Sequence, residues 1–296
     1  MKRKSDVAII GAGPAGIAAA VQLKRLGINP LLFEKSTIGG LLNNAYLVEN
    51  YPGFPKGISG PALVKKFKQH LEKWKINIVK EHVVRVTRYR GDFILHAKRN
   101  YTTKFLIISS GTKPKHPQFD LNGLDKRIFF EVYPLRKKKN KKIIIVGAGD
   151  AAFDYGLNLG RNNKIIILNY NNKIKSLLLL FKRIKQSDYR KNITYMPNTD
   201  ISTIAQLNNC AIVKVFKKQK ERCLVCDYLL FAIGREPAMD FLPLALRKKF
   251  PNGDKNVYFI GDVKHGNLRQ TGIAIGDGIH AAMSIYHNLK TQRAQK

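Results

Sequence analysis

The chain has 296 residues, 53 of them Lys or Arg and 20 Asp or Glu, for a formal net charge of +33. Hydrophobic residues make up 44% of it, enough to build cores, so a disordered chain is excluded. The length accommodates two domains, or one domain interrupted by another. Three cysteines are too few for a disulfide framework, and no apolar stretch reaches the roughly 18 residues that span a bilayer. The basic start followed by apolar residues is broken by glycines at 11, 13 and 16, which argues against a signal peptide. A cytoplasmic protein is expected. The charge excess fits either a lysine-rich solvated surface or an acidic partner. Its densest run is Arg136-Lys137-Lys138-Lys139 with Lys141-Lys142. No zinc-finger spacing or RNA-binding aromatic pattern accompanies that run, so nucleic acid is a minor option, and no membrane partner is expected.

In chain order, Val7–Ile10 reads as a short apolar strand running into Gly11-Ala12-Gly13-Pro14-Ala15-Gly16 and then an Ala-rich helix closed by Gly27. A second strand, Pro30 to Phe33, ends at Glu34. Ser59 to Trp74 predicts an amphipathic helix with Leu63, Phe67, Leu71 and Trp74 on one face. Strands are predicted around His82–Val86, Phe93–Ala97 and Phe105–Ile108, the last meeting Ser109-Ser110-Gly111-Thr112. Ile143–Val146 then enters Gly147-Ala148-Gly149-Asp150-Ala151-Ala152 and another helical pattern. A strand at Ile165–Leu168 follows. Tyr228–Ile233 leads into Gly234-Arg235-Glu236-Pro237, and Val257–Ile260 ends in Gly261-Asp262, before a final helix from about Gly272.

The strand, glycine turn and helix thus occur twice, the context in which G-x-G-x-x-G/A carries meaning. The first glycine permits the bend, the second lets backbone approach a pyrophosphate, and the third position must be small for the helix to pack on its strand. Amide N–H groups at the helix start then face the phosphate charge. Glu34 stands where a carboxylate accepts hydrogen bonds from an adenosine ribose.

These elements, with Gly39-Gly40, Glu49-Asn50-Tyr51-Pro52-Gly53-Phe54-Pro55, Ala232-Ile233-Gly234 and Arg269-Gln270, resemble over nearly the whole chain the low-molecular-weight thioredoxin reductase family of FAD-dependent pyridine nucleotide-disulfide oxidoreductases. The resemblance implies an α/β fold with two Rossmann-like, three-layer ββα dinucleotide-binding domains, the second inserted into the first. The FAD domain would span 1–112 and 240–296, the NAD(P)-binding-like domain 113–239. A homodimer is implied. By motif, Gly11, Gly13, Pro14, Ala15 and Gly16 would hold the FAD pyrophosphate, and Glu34 with Lys35 the adenosine ribose. Val83 would meet adenine through its backbone. Gly40, Leu41 and Asn50 match the flavin-facing loop, although Leu41 replaces the usual glutamine. Gly111 matches the end of the Ser-Gly-Thr crossing. Gly261 and Asp262 would serve the ribityl chain, and Arg269, Gln270 and Thr271 the flavin's pyrimidine edge, where a helix N-terminus favours negative charge. Gly147, Gly149, Asp150, Ala151 and Ala152 would serve a nicotinamide dinucleotide.

Two departures stand against the family pattern. Its C-x-x-C falls about 14 residues before the second glycine motif, where this chain has Phe130-Glu131-Val132-Tyr133. Cys223-Leu224-Val225-Cys226 is expected to lead directly into the strand ending at Ile233. Residues i and i+3 of an extended chain lie about 10 Å apart, beyond the reach of a disulfide, so this pair is read as structural and Cys210 as core. NADPH-using members place His-Arg-Arg-x-x-x-Arg after the second strand, a bidentate clamp for a 2′-phosphate. Here Asn169-Tyr170-Asn171-Asn172-Lys173-Ile174-Lys175 stands instead, with neither arginines nor the carboxylate that would select NADH. Gly149–Tyr155 is also similar to a stretch of thioredoxin-reductase-like ferredoxin–NADP reductases, which lack the dithiol. The expected function is therefore an FAD-dependent oxidoreductase with no dithiol of its own, moving electrons between NAD(P)H or ferredoxin and an acidic carrier such as ferredoxin, flavodoxin or a thioredoxin-like protein. A divergent disulfide reductase working directly from flavin and a non-catalytic FAD-binding sensor are the alternatives. No catalytic acid or base and no metal site is expected; His265 is expected to be a merely exposed loop histidine.

Overall fold

The computed structural model describes residues 3–217 and 220–294. Its strands and helices are, in order, β1 (Arg3–Ile10), α1 (Pro14–Arg25), β2 (Leu31–Phe33), α2 (Gly60–Lys73), β3 (Asn77–Val79), β4 (Arg85–Tyr89), β5 (Asp92–His96), β6 (Asn100–Ile108), β7 (Thr112–Pro114) and β8 (Ile128–Phe129). They continue with β9 (Lys142–Val146), α3 (Asp150–Gly160), β10 (Lys164–Leu168), α4 (Leu178–Gln186), β11 (Ile193–Met196), β12 (Asp200–Leu207), β13 (Cys210–Lys217) and β14 (Lys220–Cys226). β15 (Tyr228–Phe231), β16 (Arg235–Pro237), α5 (Leu244–Arg247), β17 (Val257–Phe259) and α6 (Thr271–Ala294) complete the chain. The chain divides into two compact units: Met1–Asn43, Leu47–Lys113 and Glu236–Lys296 form the first, and Asn44–Tyr46 with Pro114–Arg235 the second.

In the first unit the sheet runs β3-β2-β1-β6-β5-β4, with β17 also on β6. β1, β2, β3, β6 and β17 are parallel, while β4 and β5 run antiparallel. Both faces are covered, as near-continuous apolar strands require. On one face Ile9, Leu32, Phe105 and Ile107 pack with Ala19, Leu23, Leu71 and Ile285 of the helices. On the other, Phe33, Phe93, Leu106 and Ile108 pack with Leu242, Leu246 and Val263. Small residues bring α6 against α1: a Cβ on Gly278 would overlap the Ala15 carbonyl oxygen and meet the Ala19 nitrogen at 2.9 Å. The Ser59 hydroxyl caps α2 by accepting from the Ala62 N–H (3.4 Å).

The second unit has a five-stranded parallel sheet, β11-β10-β9-β15-β8, and a separate antiparallel sheet, β12-β13-β14. Phe153, Leu157, Ile184 and their neighbours cover one face of the parallel sheet, and Val213, Val215 and Cys226 sit in the core on the other. Cys223 and Cys226 lie in β14, an extended strand antiparallel to β13, which leads through Asp227 into β15. Cys223 is exposed and Cys226 buried. Burial pushes the Cys226 thiol up to about 12, the opposite of an activated cysteine. Cys210, expected in the core, is only half-buried, because it opens β13 opposite Leu207 at the end of a hairpin.

The excursion at 44–46 belongs to the second unit because backbone groups there find partners in it. The Tyr46 N–H donates to both carboxylate oxygens of Asp154 (3.2 and 3.0 Å). Asn158 donates to the Asn44 carbonyl (3.0 Å) and the Asn44 side chain accepts from the Tyr133 N–H (3.0 Å). Desolvation dominates at Asp154 and raises its carboxyl to about 6, against the opposing pull of the Tyr46 N–H and of Arg136 and Arg183.

Two outcomes follow from this packing. Gly278→Ala should lower the unfolding free energy by about 1–3 kcal/mol, read as a lower urea midpoint; an unchanged midpoint would show that α1 and α6 can separate freely. Asp154 binds its proton more tightly folded than unfolded, so its contribution is present below about pH 4 and lost as pH rises through 6. Wild type minus Asp154→Asn, compared by urea unfolding near pH 4 and pH 7, should reveal a fall of about 3 kcal/mol; equal pH dependences would refute the burial.

Candidate functional site

In the first unit the chain leaves β1 at Gly11 with φ +108°, a left-handed conformation that favours glycine. A Cβ there would overlap the Ser109 carbonyl, and one on Gly16 would overlap the Gly11 carbonyl. The turn is fastened from several sides. The Gly11 N–H donates to Phe33 O (2.9 Å), and the Ser109 hydroxyl lies 3.0 Å from Ile10 O and 2.8 Å from Gly11 O. Gly13 is different: nothing lies within 4 Å of a Cβ built on it. It is the N-cap of α1, with Pro14 beside it and no side chain capping the helix. The uncapped first-turn amides of Ala15 and Gly16 thus carry the partial positive charge that an anion would meet.

A cavity of ≈ 330 Å³ opens beside this turn, bordered by Gly11, Glu34, Lys35, Val83, Ser110 and Lys113 among others. The Glu34 carboxylate accepts at Oε2 from the Ala12 N–H (2.9 Å) and at Oε1 from the Ser36 N–H (2.8 Å) and hydroxyl (3.4 Å), and Oε2 keeps a further lone pair for a hydroxyl. Val83 is buried against the core, in the loop ahead of β4 rather than within a strand as its sequence suggests. On the rim, Lys113 donates to Asp240 (2.6 Å) and faces Glu236 (3.4 Å). The Asp240 hydrogen bond raises the Lys113 ammonium and holds Asp240 below the usual carboxylate range. Gly111 adjoins this region, accepting from the Ala238 N–H (3.1 Å).

Two further segments meet the glycine turn. Gly40 opens a 3-10 turn that carries Leu41, half-buried, and a Cβ on Gly40 would be 3.6 Å from the Gly13 Cα. Gly261 (φ +70°) opens the turn carrying Asp262, and its Cβ would fall 2.8 Å from that of Ala15. Asn50 and Gln270, 220 positions apart, are joined by a 2.8 Å hydrogen bond from the Asn50 amide. Arg269 precedes Gln270 on its loop, and Thr271 starts α6.

His265 is not the merely exposed loop residue expected. Its Nε2 lies 2.6 Å from Asp277 Oδ2, which also accepts the Gly261 N–H (2.8 Å). Sequence reasoning missed Asp277 and Ser109, which fasten the turns. Asp277 had left a trace, a lone acid among the apolar and small residues Ile273–Ala282.

In the second unit Gly147 repeats the Gly11 geometry, with φ +128° and the Ala232 carbonyl where a Cβ would go. Gly149 is open and caps α3 with no side-chain bond, and Ala152 is fully buried in the third position. Asp150 and Ala151 are exposed. The following loop folds onto the turn: the Lys175 N–H donates to Ala148 O (3.0 Å), and the Leu177 N–H to Asp150 Oδ1 (2.7 Å). At the end of β10 the buried Asn169 amide donates to Lys173 O and to the Tyr195 hydroxyl (both 3.0 Å). Lys173 and Lys175 are exposed. Where the family dithiol would stand, Phe130 stacks on Phe231 (5.8 Å between centroids), Val132 is fully buried, and Glu131 faces Arg235 at 3.4 Å.

Two strand–glycine turn–helix units with open, uncapped second glycines define a class: oxidoreductases built on paired dinucleotide folds. The chain belongs to the pyridine nucleotide-disulphide oxidoreductase family, which matches residues 5–278. The thioredoxin reductase of Buchnera aphidicola subsp. Schizaphis graminum is 29% identical over 306 positions, covering 99% of this chain and 92% of the relative. The T. acidophilum thioredoxin reductase structure is 28% identical, with TM-score 0.84 over 97% of this chain and 99% of that one. Lactococcus lactis thioredoxin reductase, 23% identical, shares the fold at TM-score 0.83, with 96% and 98% covered. This is an FAD-dependent enzyme of thioredoxin reductase type.

The open space at Gly13 gives a direct test. Gly13→Val should lower FAD affinity at least about tenfold, as placing bulk against a pyrophosphate implies, measured by the quenching of FAD fluorescence on adding apoprotein. The apoprotein melting temperature should be unchanged, since the new side chain meets no neighbour; full FAD binding would remove Gly13 from the site.

Proposed function

We propose that this chain passes electrons through FAD without a dithiol of its own, between a reduced donor, NAD(P)H or a ferredoxin-like protein, and an electron carrier. The observation that carries this is the packing at 130–133. Phe130, stacked on Phe231, and Tyr133 stand at the two positions where the family resemblance would put thiols, with the buried Val132 and the Glu131–Arg235 pair beside them. Cys223 and Cys226 sit in β14, where alternation sends side chains three apart to opposite faces.

The FAD site we propose lies in the first unit. The N–H groups after Gly13 meet the pyrophosphate, Glu34, Lys35 and Val83 border the adenosine, and Asp262 receives the ribityl hydroxyls. Gly40, Leu41 and Asn50, with Arg269, Gln270 and Thr271, surround the ring system. The Asn50–Gln270 hydrogen bond orients both amides. Asp277 holds the Gly261 N–H and so sets the turn that presents Asp262. Bound FAD supplies the ability to take a hydride and give up electrons singly. The Gly147–Ala152 turn is the proposed nicotinamide dinucleotide site, with Lys173 and Lys175 as the cations available to a 2′-phosphate. The +33 charge suits an acidic carrier through salt-dependent steering, and a homodimer is proposed from the family resemblance.

The relatives named thioredoxin reductase favour one second reading, reduction of a protein disulfide directly from flavin. Anaerobic titration separates the two. NADPH, NADH and reduced ferredoxin are added singly to the FAD-loaded protein, and bleaching of the flavin absorbance is followed, with oxidised thioredoxin or ferredoxin then added to restore it. Reoxidation by ferredoxin alone supports the carrier reading, whereas reoxidation by thioredoxin supports the disulfide reading. Bleaching by dithionite alone would leave neither. Cys223→Ser with Cys226→Ser should give the same traces; loss of bleaching would return these thiols to the mechanism.

A further inference from the structure

An apolar segment at the start of α4 in the second unit lies outside both hydrophobic cores of that unit. Leu177, Leu178 and Leu179 are 61%, 70% and 53% exposed, and Tyr170 is 66% exposed. Three neighbouring large apolar side chains in water oppose the usual economy of a surface. They are not the inward face of α4, because Leu180 and Phe181 pack against the core and Ile184 lies within it. Nor does the segment hang free. Its base is pinned to the second glycine turn by the Leu177 N–H on Asp150 and the Lys175 N–H on Ala148 O.

The surroundings of the leucines are cationic. Residues 169–187 hold five Lys or Arg and no Asp or Glu, and Lys173, Lys175, Lys182 and Lys185 are exposed. Leucine is under-represented among protein–protein hot spots and lysine is depleted at interfaces, tryptophan, tyrosine and arginine being preferred. Exposed leucines flanked by lysines are instead the composition of a segment that enters the headgroup region of a bilayer. There the apolar side chains reach the acyl boundary, and the ammonium groups stay among anionic headgroups.

We propose that Leu177–Leu179, with Tyr170 and the flanking lysines, docks this protein reversibly on an anionic phospholipid surface. The expectation of no membrane partner rested on the lack of a spanning stretch. No described helix is long and apolar enough to cross a membrane, and surface docking requires none. The proposal is independent of the electron-transfer reading: a protein that never reduces its flavin can still bind lipid.

The test is flotation of the FAD-loaded protein with vesicles of phosphatidylcholine containing roughly one-third phosphatidylglycerol, against phosphatidylcholine alone, near physiological ionic strength. Wild type should float with the anionic vesicles only, less so as salt rises. Leu177→Ser, Leu178→Ser and Leu179→Ser together keep every charge and should weaken binding about tenfold or more, with an unchanged melting temperature. Lys173→Gln with Lys175→Gln should weaken it by about fivefold per lysine, whereas Lys137→Gln with Lys139→Gln, the same charge removed elsewhere, should have little effect. Failure of wild type to float overturns the proposal. So does a triple leucine variant that binds like wild type, since the net charge alone would then explain the affinity. Retention on an immobilised acidic protein without any flotation would assign the patch to a protein partner instead, and equally overturns it.

Discussion

The backbone of the first glycine turn touches other backbone on two sides, and the rest of the first unit is arranged around that approach. Gly11 stands against the Ser109 carbonyl at the end of β6, and Gly16 stands against Gly11 itself. Neither position tolerates a Cβ, so β1, β6 and the first turn of α1 close to a distance that only glycine permits. Three later pieces of chain then meet the turn from outside. Gly40 approaches Gly13, Gly261 approaches Ala15, and Gly278 brings α6 onto α1. The open face at Gly13 is thereby ringed by segments more than 200 residues apart in sequence. That is why residues such as Asn50 and Gln270 come to share a hydrogen bond.

The second unit repeats the turn but surrounds it differently. Gly147 meets the Ala232 carbonyl as Gly11 meets that of Ser109. Its neighbouring loop, however, is drawn inward by Lys175 and Leu177, and a carboxylate, Asp150, receives one of those amides. The first turn presents an uncapped helix start beside a cavity bordered by both acids (Glu34, Glu81, Asp240) and lysines (Lys35, Lys113). The second presents a helix start with its own acid in the first turn, flanked by lysines and leucines. The same local geometry thus meets two electrostatic settings, set by the loops that follow β2 and β10 rather than by the glycines.

The glycine turns, the paired parallel sheets and most strands were legible because each is dictated locally: a run of β-branched residues, a glycine pair, a small third residue. Helix α2 was legible to within a residue, from its Ser59 cap and the spacing of its apolar positions. What escaped depended on contacts distant in sequence. His265 looked like an exposed loop residue because nothing nearby in sequence pairs with it; its partner Asp277 comes from α6. Cys210 sat in an apolar stretch, but its burial is decided by a hairpin end. The cationic leucine patch was invisible for the same reason. Of four consecutive leucines, packing turns Leu180 inward while the other three remain in water.

The contents of segment 130–133 decide more than the absence of two sulfurs. Here Val132 is fully buried, Phe130 is stacked, and Glu131 and Arg235 face each other at 3.4 Å with the Asn44 amide also 3.4 Å from the carboxylate. The family's two cysteines would stand at 130 and 133, so restoring them would remove the Phe130–Phe231 stack, while Glu131 and Val132 would keep their places. The proposed transfer of electrons without a dithiol agrees with that packing, since the side chain at 130 is held in an aromatic stack rather than offered as a thiol.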